Sequence, residues 1–139
     1  MSVTGSCLCG SVGYEVDKPT ADRADHCHCT YCRKWHGAAF GSYVGFDAGD
    51  FRWTKGADIV ARYQSTSHSA RHFCPKCGSP LAGEIGGKII IVTMGTLDSD
   101  PGVAPHLHMF VKSKAPWYEI NDDLEQYQGY PPGFEPPEE

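Results

Sequence analysis

Long apolar runs are missing from this chain. The longest, Ile89–Val92, has only four residues, against the roughly 20 that a helix needs to cross a bilayer, so no membrane-spanning helix is expected. An excess of basic charge is missing too. Twelve Lys and Arg stand against 17 Asp and Glu, a net charge of −5, which argues against a general nucleic-acid binder. The first ten residues, MSVTGSCLCG, lack both a basic and an apolar segment. No targeting segment is expected there, and the chain is read as cytoplasmic, with reduced thiols. Helix signals are sparse as well. TYCRKWH (30–36) suits a single turn with Thr30 as N-cap, and NDDLEQYQ (121–128) suits a short terminal helix.

Turn residues, short β patterns and cysteine are plentiful. With 139 residues, 40% of them hydrophobic, the chain is long enough to bury a core without disulfides. Sixteen Gly and ten Pro punctuate segments with strand character. These are Ser11–Val16, Ala39–Phe46, Ile59–Ser65, Ser69–Phe73, a hairpin of 81–85 and 88–95 around Gly86–Gly87, His106–Val111 and Trp117–Ile120. Such segments, with little helix between them, predict a mainly β domain. We expect one domain over 1–127 and a Pro-rich C-terminal tail over 128–139.

The seven cysteines fall into three groups: Cys7 and Cys9; Cys27, Cys29 and Cys32; Cys74 and Cys77. In a reducing compartment such clusters favour metal over disulfides. FCPKCGS has the form of a zinc knuckle, with a glycine after its second thiol to allow a tight turn. A closed structural zinc takes four protein ligands, so the knuckle needs a second pair. Cys7 and Cys9 can supply it, leaving Cys27, Cys29 and Cys32 as a three-thiolate site with an open position. Cys29 and Cys32 can also supply it, leaving Cys7, Cys9 and Cys27. Spacing does not choose, though the first division keeps each local group intact. His26, His28 or His36 could also close the second site as a Cys₃His set.

The ordered motifs GSCLCGSVGYEV, HCHCTYCRKWHGAAF, RHFCPKCGSPL and PHLHMFVKSKAPW resemble those of the glutathione-dependent formaldehyde-activating enzymes. That family also includes the centromere protein V domain. The resemblance runs from about Gly5 to Leu124. It implies a small zinc-bound, β-rich domain related to the Mss4-like fold, with two zincs per chain. Cys7, Cys9, Cys74 and Cys77 would hold a structural zinc; Cys27, Cys29 and Cys32 would hold a second, on the substrate side. The implied reaction joins glutathione and formaldehyde as S-hydroxymethylglutathione, or a related pair of thiol and aldehyde.

Zinc held by three thiolates is electron-rich and a poor activator of water. It suits a fourth, exogenous thiolate, held deprotonated so that its sulfur adds to an aldehyde carbon. That is carbon–sulfur lyase chemistry. The added negative charge calls for a cation, and Arg33 and Lys34 follow the last ligand directly, Arg33 being the stronger candidate. His36 is a candidate proton carrier. His108 can face either side of its strand, and Trp117 is expected in the core. Two other readings compete. One is a non-catalytic zinc module that binds a thiol or a protein partner. The other is a thiol redox protein using Cys29 and Cys32, which the lack of a βαβ context weakens.

Overall fold

Alternation decides the sheets. In GYEVD, Tyr14 and Val16 are fully buried and Glu15 between them is partly exposed, as a strand with one covered face requires. In the computed structural model, which describes residues 1–134, the elements in chain order are β1 (Ser2–Ser6), β2 (Gly13–Asp17), β3 (Thr20–Cys27), α1 (Thr30–His36), β4 (Gly41–Gly45), β5 (Phe51–Lys55), β6 (Ala61–Gln64), β7 (Ser69–Phe73), β8 (Pro80–Ile85), β9 (Lys88–Thr93), β10 (Leu107–Met109) and β11 (Glu125–Gln126). The fold is mainly β, as expected, with one α-helix among the described residues. The final residues of the expected tail, 135–139, lie outside the described residues.

Two sheets form. The smaller runs β1-β2-β5, and the larger runs β11-β10-β3-β4-β9-β8-β7-β6. All pairings are antiparallel except those that β10 makes with β3 and β11. The principal core lies where Val3, Tyr14 and Val16 of the small sheet meet Ala24, Val44, Leu81, Ala82 and Val92 of the large one. The other face of the large sheet carries a second cluster of Cys27, Cys32, Tyr43, Leu107 and Met109. Residues two apart on a strand share a face. Ala24 of β3 and Val44 of β4 are therefore core residues, while Asp25, Cys27 and Tyr43 look the other way. Among the described residues no helix is long and apolar enough to cross a membrane.

The structure departs from the sequence-based expectations in three places. Residues 117–120 are not a strand. Pro116 has no amide N–H to donate, Tyr118 N–H closes a turn on Ala115, and Trp117 is 70% exposed rather than in the core. Residues 121–128 are not helical. There Asp122 accepts the Leu124 N–H, and Glu125–Gln126 pairs alongside β10. In α1 the N-cap is Cys29, not Thr30. Strands β1 and β3 went unforeseen because their sequences carry few apolar residues, and β5 went unforeseen although Phe51 and Trp53 alternate with Arg52.

Gly5 shows how tightly the small sheet is closed. It pairs directly with Tyr14 across β1 and β2, and a methyl group there would overlap the Tyr14 ring. That ring is fully buried, with its hydroxyl 2.8 Å from Thr96 Oγ1, so it has no free direction to yield. Gly5→Ala should cost about 1–3 kcal/mol through overpacking, read by urea denaturation. Parental stability in the variant would mean that the ring yields freely.

Candidate metal centre

The first cysteine group is assembled by two turns. Cys7 and Cys9 lie between β1 and β2, and Cys74 and Cys77 between β7 and β8. Their four sulfurs lie within 4.8 Å of one another. Cys9 Sγ is 3.7 Å from Cys7 Sγ and 3.8 Å from Cys74 Sγ. Gly78 completes the knuckle at φ 81°, with its N–H donating to Cys74 O at 2.8 Å, a conformation few other residues accept. Polar groups surround the sulfurs. Val12 N–H donates to Cys7 Sγ at 3.3 Å, and the hydroxyls of Ser11 and Ser79 lie 3.3 Å from Cys9 and Cys77. Hydrogen bonding from Ser79 holds the Cys77 thiol down at about 5. Four converging sulfurs with such support fit a soft dication in a closed, tetrahedral site.

The second group is built within one chain segment. Cys27 ends β3, Cys29 caps α1 by accepting the Cys32 N–H at 3.3 Å, and Cys32 lies in the first turn. These three sulfurs also lie within 4.8 Å of one another. They hydrogen-bond one another, which drives the Cys29 thiol far down and the Cys27 thiol far up. The structure thus brings the cysteines together as four plus three, the division that keeps each local group whole. This donor set also fits a metal, with three protein ligands rather than four.

Tyr43, from the neighbouring β4, donates its hydroxyl hydrogen to Cys32 Sγ at 3.1 Å. Its oxygen is 2.9 Å from His36 Nε2. With the Tyr43 proton on sulfur's side, that histidine nitrogen must be the donor. Burial, together with Arg71, lowers the His36 pKa to about 4, so the ring is neutral. Arg71 of β7 is the cation beside this cluster. Burial works against its charge, and neighbouring Cys32 and Tyr43 outweigh that effect. Its guanidinium also lies 4.7 Å from the centre of the Trp35 ring, within reach of a cation–π contact.

The other residues expected at the site are placed elsewhere. Arg33 and His36 do not line the cavity onto which the second group opens. Arg33 follows Cys32 by one residue, which on a helix is a rotation of about 100°, and its Nε is buried without a hydrogen-bond partner among the described residues. Lys34 is exposed. His26 projects from the face of β3 opposite to Cys27, and His28 follows just past the end of that strand. His26 Nδ1 lies 2.8 Å from Ser42 Oγ, and His28 Nε2 lies 2.8 Å from His108 Nδ1. His108 is fully buried and continues to Asp122 at 2.9 Å. None of these rings joins the sulfurs of the second group.

The cavity has a volume of about 920 Å³ and takes in Cys27, Cys29 and Cys32 but none of the first group. Its wall includes Arg23, Arg71 and Lys112, the aromatic rings of Tyr43, Phe110, Tyr130 and Phe134, and the carboxyl of Asp25. Asp25 is 7% exposed, and burial pushes its pKa up to about 7. Arg71, Tyr43 and Asp25 are the site residues that sequence reasoning missed. Arg71 and Tyr43 lie inside segments read as strands, and their alternation was available. What was not available is which strands stand beside Cys27.

The model of the family "Glutathione-dependent formaldehyde-activating enzyme" matches residues 2–113. A Halomonas elongata protein named "Putative glutathione-dependent formaldehyde-activating enzyme" is 31% identical, over 94% of this chain and 90% of that protein. An uncharacterized lyase of Schizosaccharomyces pombe is 29% identical over 55% of this chain and 53% of its own. The crystal structure of a Rhodobacter sphaeroides protein superposes with a TM-score of 0.57 at 25% identity, covering 73% of this chain and 97% of that one. The match over most of the chain and the near-complete overlap with the Halomonas relative make this chain a member of the glutathione-dependent formaldehyde-activating enzyme family.

Proposed function

We propose that this chain is a zinc-dependent carbon–sulfur lyase that makes and breaks the adduct of a thiol with an aldehyde. Glutathione and formaldehyde, giving S-hydroxymethylglutathione, are the reference pair, since a relative's name carries both. The observation that carries this reading is the difference between the two cysteine groups. The first offers four sulfurs and stands away from the cavity; the second offers three and opens onto it. A closed set suits structure, and an open one suits a substrate ligand.

The reaction balances without an oxidant or a reductant. The thiol gives up its proton, its sulfur forms a bond to the aldehyde carbon, and the carbonyl oxygen takes a proton to become a hydroxyl. The reverse breaks that carbon–sulfur bond. Zinc held by Cys27, Cys29 and Cys32 would supply stabilisation of the thiolate form of an incoming thiol. The chain's own residues supply the rest. In this reading Arg71, not Arg33, offsets the negative charge that gathers at the sulfurs. Tyr43 holds Cys32 in place by its hydrogen bond, and His36 acts through Tyr43 rather than on the substrate. The aromatic rings around the cavity exclude water from the reacting groups. A cavity of about 920 Å³ is far larger than formaldehyde, so the thiol sets its size.

Metal content tests the division of labour. Freshly purified protein should carry two zincs per chain. Cys29→Ser should stay folded with one zinc fewer. Cys74→Ser should unfold, because a structural zinc contributes about 10–16 kcal/mol and a domain has only about 5–15 kcal/mol to lose. Unfolding of both variants would make the second site structural as well. Tyr43→Phe should weaken zinc about tenfold at the second site only, as loss of a ligand's hydrogen-bond partner does, measured by chelator competition. The reaction itself is read by exchange NMR of glutathione with formaldehyde. The zinc-loaded protein should speed exchange above the spontaneous rate, and no acceleration would count against the lyase reading.

A further inference from the structure

The cavity holds one acidic side chain that nothing among the described residues answers. Of its carboxylates, Glu84 is bound by Arg62 at 2.8 Å and by His72 at 2.9 Å, and Asp22 is exposed to solvent. Asp25 differs from both. It is 7% exposed and lines the cavity, and its carboxyl has no hydrogen-bond or ion-pair partner among the described residues. None of the cations of the same wall pairs with it: Arg23 pairs with Asp47 at 3.7 Å, Arg71 sits against Cys32, Tyr43 and Trp35, and Lys112 lies 5.9 Å from the centre of the Phe110 ring.

Position ties Asp25 to the open cysteine group. It precedes Cys27 by two residues on β3, so the two side chains share a face, about 6–7 Å apart along the strand. It stands directly across from Tyr43 on β4, whose hydroxyl touches Cys32. A ligand whose sulfur sits at the three cysteines therefore has this carboxyl within reach. Burial without a partner disfavours the carboxylate form of this side chain, and a neutral donor offsets only part of that penalty. A cation brought by the ligand cancels the charge.

We propose that Asp25 forms an ammonium-binding subsite in the cavity, a specificity determinant that selects thiols carrying a primary amine. This rests on the reading of the cavity as a thiol site, and it adds which end of the thiol faces β3. The carboxylate groups of such a zwitterion have Arg71 and Lys112 on the same wall.

Calorimetric binding of two thiols to the zinc-loaded full-length protein tests this without turnover. The probes are glutathione and N-acetylglutathione, which keeps the thiol and both carboxylates but loses the ammonium charge. The wild type should prefer glutathione by about tenfold or more, the scale of a charge-assisted pair. Asp25→Asn, of nearly the same shape, should bring the two within about twofold by weakening glutathione alone, with zinc content unchanged. Equal affinity of the wild type for both probes would overturn the inference, and that comparison needs no variant to fold. So would equal weakening of both probes by Asp25→Asn. Failure of the wild type to bind either thiol would overturn the thiol reading of the cavity, and this inference with it.

Discussion

Negative charge gathered at three sulfurs is the constraint around which this protein is arranged. Cys27, Cys29 and Cys32 lie within 4.8 Å of one another, and thiolates at that spacing repel strongly unless cations and hydrogen-bond donors answer them. The answers come from three elements. The Cys32 N–H reaches Cys29, the Tyr43 hydroxyl reaches Cys32, and the Arg71 guanidinium lies alongside. Strands β3, β4 and β7 and helix α1 must therefore keep their registers for the group to exist. The His36 pKa is held near 4 by the same burial, which keeps that ring neutral and lets it donate to Tyr43.

The first cysteine group solves a different problem. Its two halves come from turns that belong to different sheets, one in β1–β2 and the other in β7–β8. A metal held there would join the small sheet to the large one at the edge of the principal core. Cys7 and Cys74 are themselves members of that core, so the junction is continuous with its packing. Loss of the metal would open the contact between the sheets, whereas loss at the second group would leave that contact untouched. Metal and core would act as one unit in the first case and as neighbours in the second.

Legibility in the sequence followed the range of the interactions. The cysteine groups are local, and the division into four and three could be favoured because each group stays whole. β7 was read to the residue, as SARHF, because its alternation is undisturbed. β3, TADRADHC, was not foreseen. Its even positions include Ala24 and His26, and its odd ones Asp25 and Cys27, so polar and metal-type side chains displace the apolar pattern that marks a strand. Arg33 is adjacent to the last ligand in sequence, yet helical rotation takes it away, while Arg71 arrives from β7 across several strand pairings. Such pairings are decided by the whole sheet, and no local pattern records them.

The histidines of the opening motif show the same separation between sequence and space. At the end of β3, His26 and Cys27 take opposite faces of the strand, and the His28 that follows turns its ring toward His108 on the histidine side. On the histidine side, His28 meets His108, and His108 meets Asp122. This chain of contacts spans β3, β10 and the segment leading to β11. The same strands are joined along their backbones, where His28 N–H donates to Met109 O at 2.9 Å and Tyr127 N–H donates to His108 O at 2.9 Å. The segment continues to Tyr130 and Phe134, which line the cavity. A buried polar chain on one face therefore anchors the strand that carries the sulfurs. It also anchors the C-terminal stretch that walls the cavity on the other face. His28 stands between Cys27 and Cys29 in sequence, so fixing its ring also limits how far the two flanking sulfurs can drift apart.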